Sequence, residues 1–135
     1  MSGNGISEWI RKAESDLKIG RDEIATESSA NDAVCFHMQQ CVEKYLKAYL
    51  IFNQKEIRRT HDLTELIAFC VEINPEFKTL FEMDADRLTE YAVDMRYPSD
   101  SPFPSLEVTG NAIKTAEAAK EFILKKLLEK GWQPG

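Results

Sequence analysis

The chain has 135 residues, 43% hydrophobic and 30% charged, with six Gly, five Pro and a formal net charge of −6. A chain of this length buries roughly two thirds of the surface its unfolded form exposes, so one domain with its own core is expected, and the composition excludes a disordered or collagen-like protein. No run of about 18 apolar residues is present to span a bilayer, and the first residues combine neither a basic cluster nor an apolar stretch, so a soluble chain in the cytoplasm is expected. Cys35, Cys41 and Cys70 form an odd set without CxxC spacing. Reduced core thiols are expected from it, not a disulfide framework or a structural zinc site.

From Ser7 to about Glu27, Trp9, Ile10, Ala13, Leu17 and Ile24 recur at helical spacing, with Ser7 as the expected N-cap. Ser28 to Asp32 reads as a turn, with Asn31 or Asp32 capping a second helix to about Phe52. That helix carries apolar residues on more than one stripe (Val34, Met38, Cys41, Val42, Tyr45, Leu46, Tyr49, Leu50), which predicts a central position packed on two sides. Asn53 to Arg59 is a polar, basic connection, and Asp62-Leu63-Thr64-Glu65 gives the capping-box pattern of a third helix that Asn74-Pro75 stops. Phe77, Leu80 and Phe81 predict a short helix or buried turn. From about Asp84, Leu88, Tyr91, Ala92 and Met95 form a fourth stripe that ends at Pro98. Three prolines in Tyr97 to Ser105 make an extended loop, and a last helix runs from about Leu106 to Lys130 before Gly131. The expected fold is all-α, an antiparallel up-and-down bundle of four long helices plus a short fifth, as one domain over residues 1–135 with its core at about 7–130.

The charge is unevenly spread. Residues 1–30 carry −2, 31–60 +2, 61–105 −7 and 106–135 +1, and Lys44, Lys47, Lys55, Arg58 and Arg59 are opposed only by Glu56 between residues 44 and 59. Overall acidity disfavours non-specific coating of nucleic acid but leaves room for a local phosphate site on that basic stretch.

Polar residues that a bundle does not itself require fall into four groups. His37 and Cys41 share a helix face, but two ligands do not make a metal site, and His37 and Gln40 read as core polar groups satisfied by hydrogen bonds. In Thr60-His61-Asp62, His61 has the chemistry of a general base with Asp62 to orient it, while the same Asp62 is needed as a helix N-cap. In Asp94-Met95-Arg96-Tyr97-Pro98, Arg96 suits a bidentate phosphate clamp and Tyr97 a stacked base. Pairing of Arg96 with Asp94 at a helix C-terminus is the competing structural role. The fourth group is the basic run of Lys44, Lys47, Arg58 and Arg59. P-loop, GxGxxG, GxSxG and HExxH patterns are absent, which leaves P-loop nucleotide hydrolysis, dinucleotide redox chemistry and zincin proteolysis without support.

Taken in order, Asp16-Leu17, the stretch Cys35-Phe36-His37-Met38-Gln39-Gln40-Cys41 through Leu50, Thr60-His61-Asp62-Leu63 and Arg96-Tyr97-Pro98 resemble a HEPN domain over roughly Trp9 to Leu128. The resemblance implies a five-helix bundle that is usually dimeric and commonly encoded beside, or fused to, a minimal nucleotidyltransferase in toxin–antitoxin-like pairs. It also implies a ribonuclease motif, Arg followed after four to six residues by His, from which this chain departs. Ser101, Pro102 and Phe103 occupy the positions after Arg96 where that His would stand, and no other Arg meets the spacing.

The expected function is therefore a homodimeric interaction module that partners a minimal nucleotidyltransferase. Its nucleotide or RNA phosphate surface is drawn from Arg96, Tyr97, His61, Arg58, Arg59, Lys44 and Lys47. Neither a cofactor nor a metal is expected, and enzyme activity is not favoured. The alternatives are a metal-independent ribonuclease with a rearranged pair, Arg96 and His61, and a purely structural assembly subunit.

Overall fold

The computed structural model describes residues 2–56, 59–93 and 103–134. They form α1 (Ser2–Ile24), α2 (Asn31–Phe52), α3 (Leu63–Ile73), α4 (Lys78–Glu82), α5 (Thr89–Val93) and α6 (Leu106–Glu129), with single 3-10 turns at Pro75–Phe77 and Ala85–Leu88. Among the described residues no strand is present, so the all-α reading holds.

α2 is the axis of the molecule. It packs on α1, α3, α5 and α6, and its apolar residues are buried around the whole helix, from Val34, Cys35 and Met38 to Tyr49 and Leu50. Tyr49 packs on Phe77 with ring centroids 4.4 Å apart, and Phe77 meets Phe122 of α6 edge-on at 5.1 Å. All three cysteines are free thiols inside this core. Burial, with the nearby Asp16 and Glu14 carboxylates, pushes the Cys41 thiol up to about 12. Such a thiol stays protonated at neutral pH and is no nucleophile.

α1 runs antiparallel to α2: Lys47 lies over Trp9, Lys44 meets Asp16, and Gly20 lies against Met38 and Val34. A Cβ on Gly20 would stand 2.5 Å from the Met38 terminal methyl, so the small residue allows the two helices to approach. α6 is antiparallel to α1 as well, with Arg21 on Glu117 at 2.6 Å and Lys120 on Glu14 at 2.9 Å. One detail of the expected up-and-down order differs. His61 lies beside Glu43, whereas Asn74, past the end of α3, lies by Tyr49, so α3 runs in the same sense as α2. His61, beside Glu43, therefore lies about 15 Å back along α2 from Asn53.

Other differences are local. α1 begins at Ser2 rather than at Ser7, because Ile6 is buried and extends the helical stripe. At the start of α2 neither predicted cap acts as one: Ala30 holds the cap position, Asn31 turns inward and donates to the Pro104 carbonyl at 3.0 Å, and Asp32 accepts from the Ala33 amide at 2.8 Å. The fourth stripe opens as the 3-10 turn behind Asp84, whose φ of 60° breaks the helix, before α5 begins. Asp62 caps α3 and Ser105 caps α6. Gly131, at φ 102°, ends α6, and the Trp132 amide folds back on the Leu127 carbonyl at 3.0 Å.

Candidate functional site

The polar residues of α2 follow one another at helical spacing and face α1 and the start of α3. Gln39, Glu43 and Lys47 form an i, i+4, i+8 ladder that is buried despite its polarity. Such burial is tolerated only where hydrogen bonds replace the lost water, and here each member has partners. The Gln39 amide nitrogen donates to Glu43 Oε1 at 3.0 Å and to the His61 carbonyl at 2.9 Å, while its oxygen accepts from Gln40 Nε2 at 2.7 Å. Lys47 Nζ donates to Glu43 Oε2 at 2.9 Å and lies 5.7 Å from the centre of the Trp9 ring.

His61 completes this cluster. Its Nδ1 is 3.0 Å from Glu43 Oε1, and its side chain is 62% exposed while that of Glu43 is 4% exposed. A buried carboxylate thus fixes the orientation of a solvent-facing imidazole, and the Gln39 bond to the His61 carbonyl fixes the backbone beneath it. Burial works to raise the Glu43 carboxyl, but hydrogen bonds from Lys47, His61 and Gln39 outweigh it and hold the group below its ordinary value.

The residue that orients His61 is therefore Glu43 of the central helix and not the adjacent Asp62, whose carboxylate accepts from the Thr64 amide at 3.0 Å. Sequence proximity favours Asp62, but the demand of the α3 N-terminus for an acceptor takes that side chain away. Lys44 and Lys47, expected on a phosphate surface, are each committed to a carboxylate. Lys47 is buried with Glu43, and Lys44 reaches the buried Asp16 at 2.5 Å. Asp16 also holds His37 Nδ1 at 2.7 Å. Glu14 accepts from Tyr45 and, at 3.0 Å, from Lys120. Arg59, two residues before His61, is exposed. Arg58, Asp94, Arg96 and Tyr97 lie outside the described residues. The flanks of that last segment are both near the first half of α2: Tyr91 senses Cys35, and the Pro104 carbonyl is bound by Asn31.

Sequence reasoning missed Gln39, Glu43 and Asp16 as organising groups. The i, i+4 run on α2 was available to find the first two, but the contacts to His61 and His37 bridge 18 and 21 positions. Among the described residues no group of three or more His, Cys, Asp or Glu side chains is placed to hold a metal ion, and no helix is long and apolar enough to cross a membrane.

With this arrangement of helices and motif residues in place, residues 6–127 match the HEPN domain model, and the chain belongs to the HEPN domain family. The fold is similar to the crystal structure of ST0689, an archaeal HEPN homologue, with a TM-score of 0.72 and 23% identity over 90% of this chain and 97% of that one. No curated protein matches the sequence.

Proposed function

We propose that this HEPN domain is an interaction module that binds a nucleotide or RNA at the surface around His61 and acts as the partner of a minimal nucleotidyltransferase in a toxin–antitoxin-like pair, as a homodimer. The observation that carries the reading is the exposed His61 ring fixed by a buried, hydrogen-bonded Glu43. Four ordered groups (Gln39, Gln40, Glu43, Lys47) support one solvent-facing imidazole, which helix packing alone does not need. Arg59, exposed and two residues before His61 in the chain, supplies a positive charge suited to a phosphoryl oxygen, and Arg58, Arg96 and Tyr97 join the surface on the strength of the sequence. Lys44 and Lys47 contribute from beneath, as the counter-charges of Asp16 and Glu43. Calorimetric titration with a mononucleotide and with short RNA tests this, expecting binding by the wild type and at least about tenfold weakening in His61→Ala and Arg96→Ala, the scale of one or two lost charge-assisted bonds. Unchanged affinity in both variants favours the purely structural subunit. Light scattering at micromolar concentration tests the dimer, and co-purification with the product of an adjacent nucleotidyltransferase frame tests the partner.

The second reading is a metal-independent ribonuclease, favoured by the same His61–Glu43 geometry, since an imidazole held at Nδ1 leaves Nε2 to take a hydroxyl proton. Cleavage of structured RNA by the wild type, lost in His61→Ala and Arg96→Ala, would establish it over the binding module.

A further inference from the structure

The molecule contains the His61 device twice. His61 Nδ1 lies 3.0 Å from Glu43, whose other oxygen takes Lys47 at 2.9 Å. His37 Nδ1 lies 2.7 Å from Asp16, whose other oxygen takes Lys44 at 2.5 Å. In both cases the carboxylate is buried, at 4% and 8% exposure, and the lysine comes from α2, while the His61 ring is 62% exposed and the His37 ring 28%. His37 borders a groove of about 370 Å3 between the end of α1 and the start of α2, lined by Ile19, Val34 and Thr26 and by the acidic side chains of Asp22 and Glu23, which suit a hydroxyl rather than a phosphate. Neither Nε2 has a partner among the described residues.

An ionised carboxylate only accepts hydrogen bonds, so each neutral ring must carry its proton on Nδ1 and its lone pair on Nε2. Each lysine balances its carboxylate, which can then hold the ring without taking over its proton. A bare Nε2 attracts a hydroxyl or amine hydrogen and repels a phosphoryl oxygen.

We propose that His37 is a second working group built like His61, that Asp16 and Glu43 are positioning residues locking both rings in the Nδ1–H tautomer, and that the ligand group meeting Nε2 is a sugar hydroxyl. This rests on the nucleotide-binding reading above and narrows it: phosphate is left to guanidinium groups such as Arg59, and the imidazoles recognise ribose.

Long-range 1H–15N spectra of the full chain, in buffer alkaline enough to keep both imidazoles neutral, test the lock. Nδ1–H signatures are expected for His37 and His61, and an Nε2–H signature at either ring overturns the assignment for that ring. In the double variant Glu43→Met, Lys47→Met, which removes acceptor and counter-charge together so that no buried charge is left unpaired, His61 is expected to become a tautomer mixture while His37 keeps its signature. An unchanged His61 overturns the role of Glu43. In the binding arm the wild type is expected to prefer adenosine monophosphate over its 2′,3′-dideoxy analogue by at least about tenfold, the scale of one to two hydrogen bonds. His37→Ala and the Glu43→Met, Lys47→Met variant are each expected to reduce that preference with little effect on the dideoxy compound. Equal binding of the two nucleotides by the wild type overturns the hydroxyl assignment. Binding of neither overturns the nucleotide reading itself, and the tautomer assignment is then decided by the spectra alone.

Discussion

Glu43 stands between two cationic or protic neighbours and an amide, and its surroundings make the cost of losing it asymmetric. Glu43→Ala leaves the Lys47 ammonium buried without a counter-ion, a situation that costs about 3–5 kcal/mol, whereas replacing both residues by methionine removes the desolvated pair as a unit and is expected to be near neutral. Urea denaturation of the single and double variants checks this, and a double variant as unstable as the single one would contradict it. The same carboxyl makes stability depend on pH. Because its folded-state value lies below the ordinary 4.5, the unfolded chain binds its proton first, so the contribution is fully present above the ordinary value and is lost as pH falls through the depressed one. Denaturation midpoints of the wild type are therefore expected to fall on acidification below about pH 5, and the slope to flatten in the Glu43→Met, Lys47→Met variant. Parallel profiles in the two proteins would rule out Glu43 as a source.

The helices differ in how their ends are held. α3 and α6 begin with side-chain caps, Asp62 on the Thr64 amide at 3.0 Å and Ser105 on the Val108 amide at 3.1 Å, while α2 begins without one and is secured by the inward bond from Asn31 to Pro104. Ser105→Ala is expected to lower stability by about 1 kcal/mol, the usual worth of an N-cap. Asp32→Ala, whose carboxylate accepts from the neighbouring amide, is expected to cost a few tenths, within the range of ordinary surface substitutions. Thermal or urea unfolding ranks the two, and a larger loss at Asp32 would contradict the assignment of caps. At the end of α6, Gly131 adopts a φ of 102° that a side chain resists, so Gly131→Ala is expected to destabilise by about 1 kcal/mol through backbone strain alone.

Across the whole molecule, α2 links α1, α3, α5 and α6, so no helix has a core of its own to fall back on. Unfolding is expected to be one cooperative transition. The two tryptophans suit a direct check: Trp9 sits on α1 and Trp132 follows α6, both partly buried. Trp9→Phe and Trp132→Phe, each leaving one reporter, are expected to give fluorescence midpoints that coincide with the loss of helical circular dichroism in the same variant. Separated midpoints would mean that α1 or the end of α6 detaches first. Among the described residues of 61–105, Asp62, Glu65, Glu72, Glu82, Asp84 and Glu90 are all exposed, so the α3 to α5 side presents an acidic surface.

Periodicity and punctuation in the sequence determined the helical class, the central place of α2, the capping of α3 by Asp62 and the stop at Gly131, because these depend on spacing along one helix or on the residue next to a boundary. The ordered motifs likewise carried the family. Tertiary structure alone decided that α3 runs with α2, that Ile6 joins the core, and that Lys44 and Lys47 turn inward, since each is settled by which distant acid or apolar surface is within reach. It also decided the partner of His61. Asp62 is adjacent in the chain, but its carboxylate is held by the amides of its own helix start, and the acceptor that meets the ring is Glu43, brought there only when the chain returns along α2.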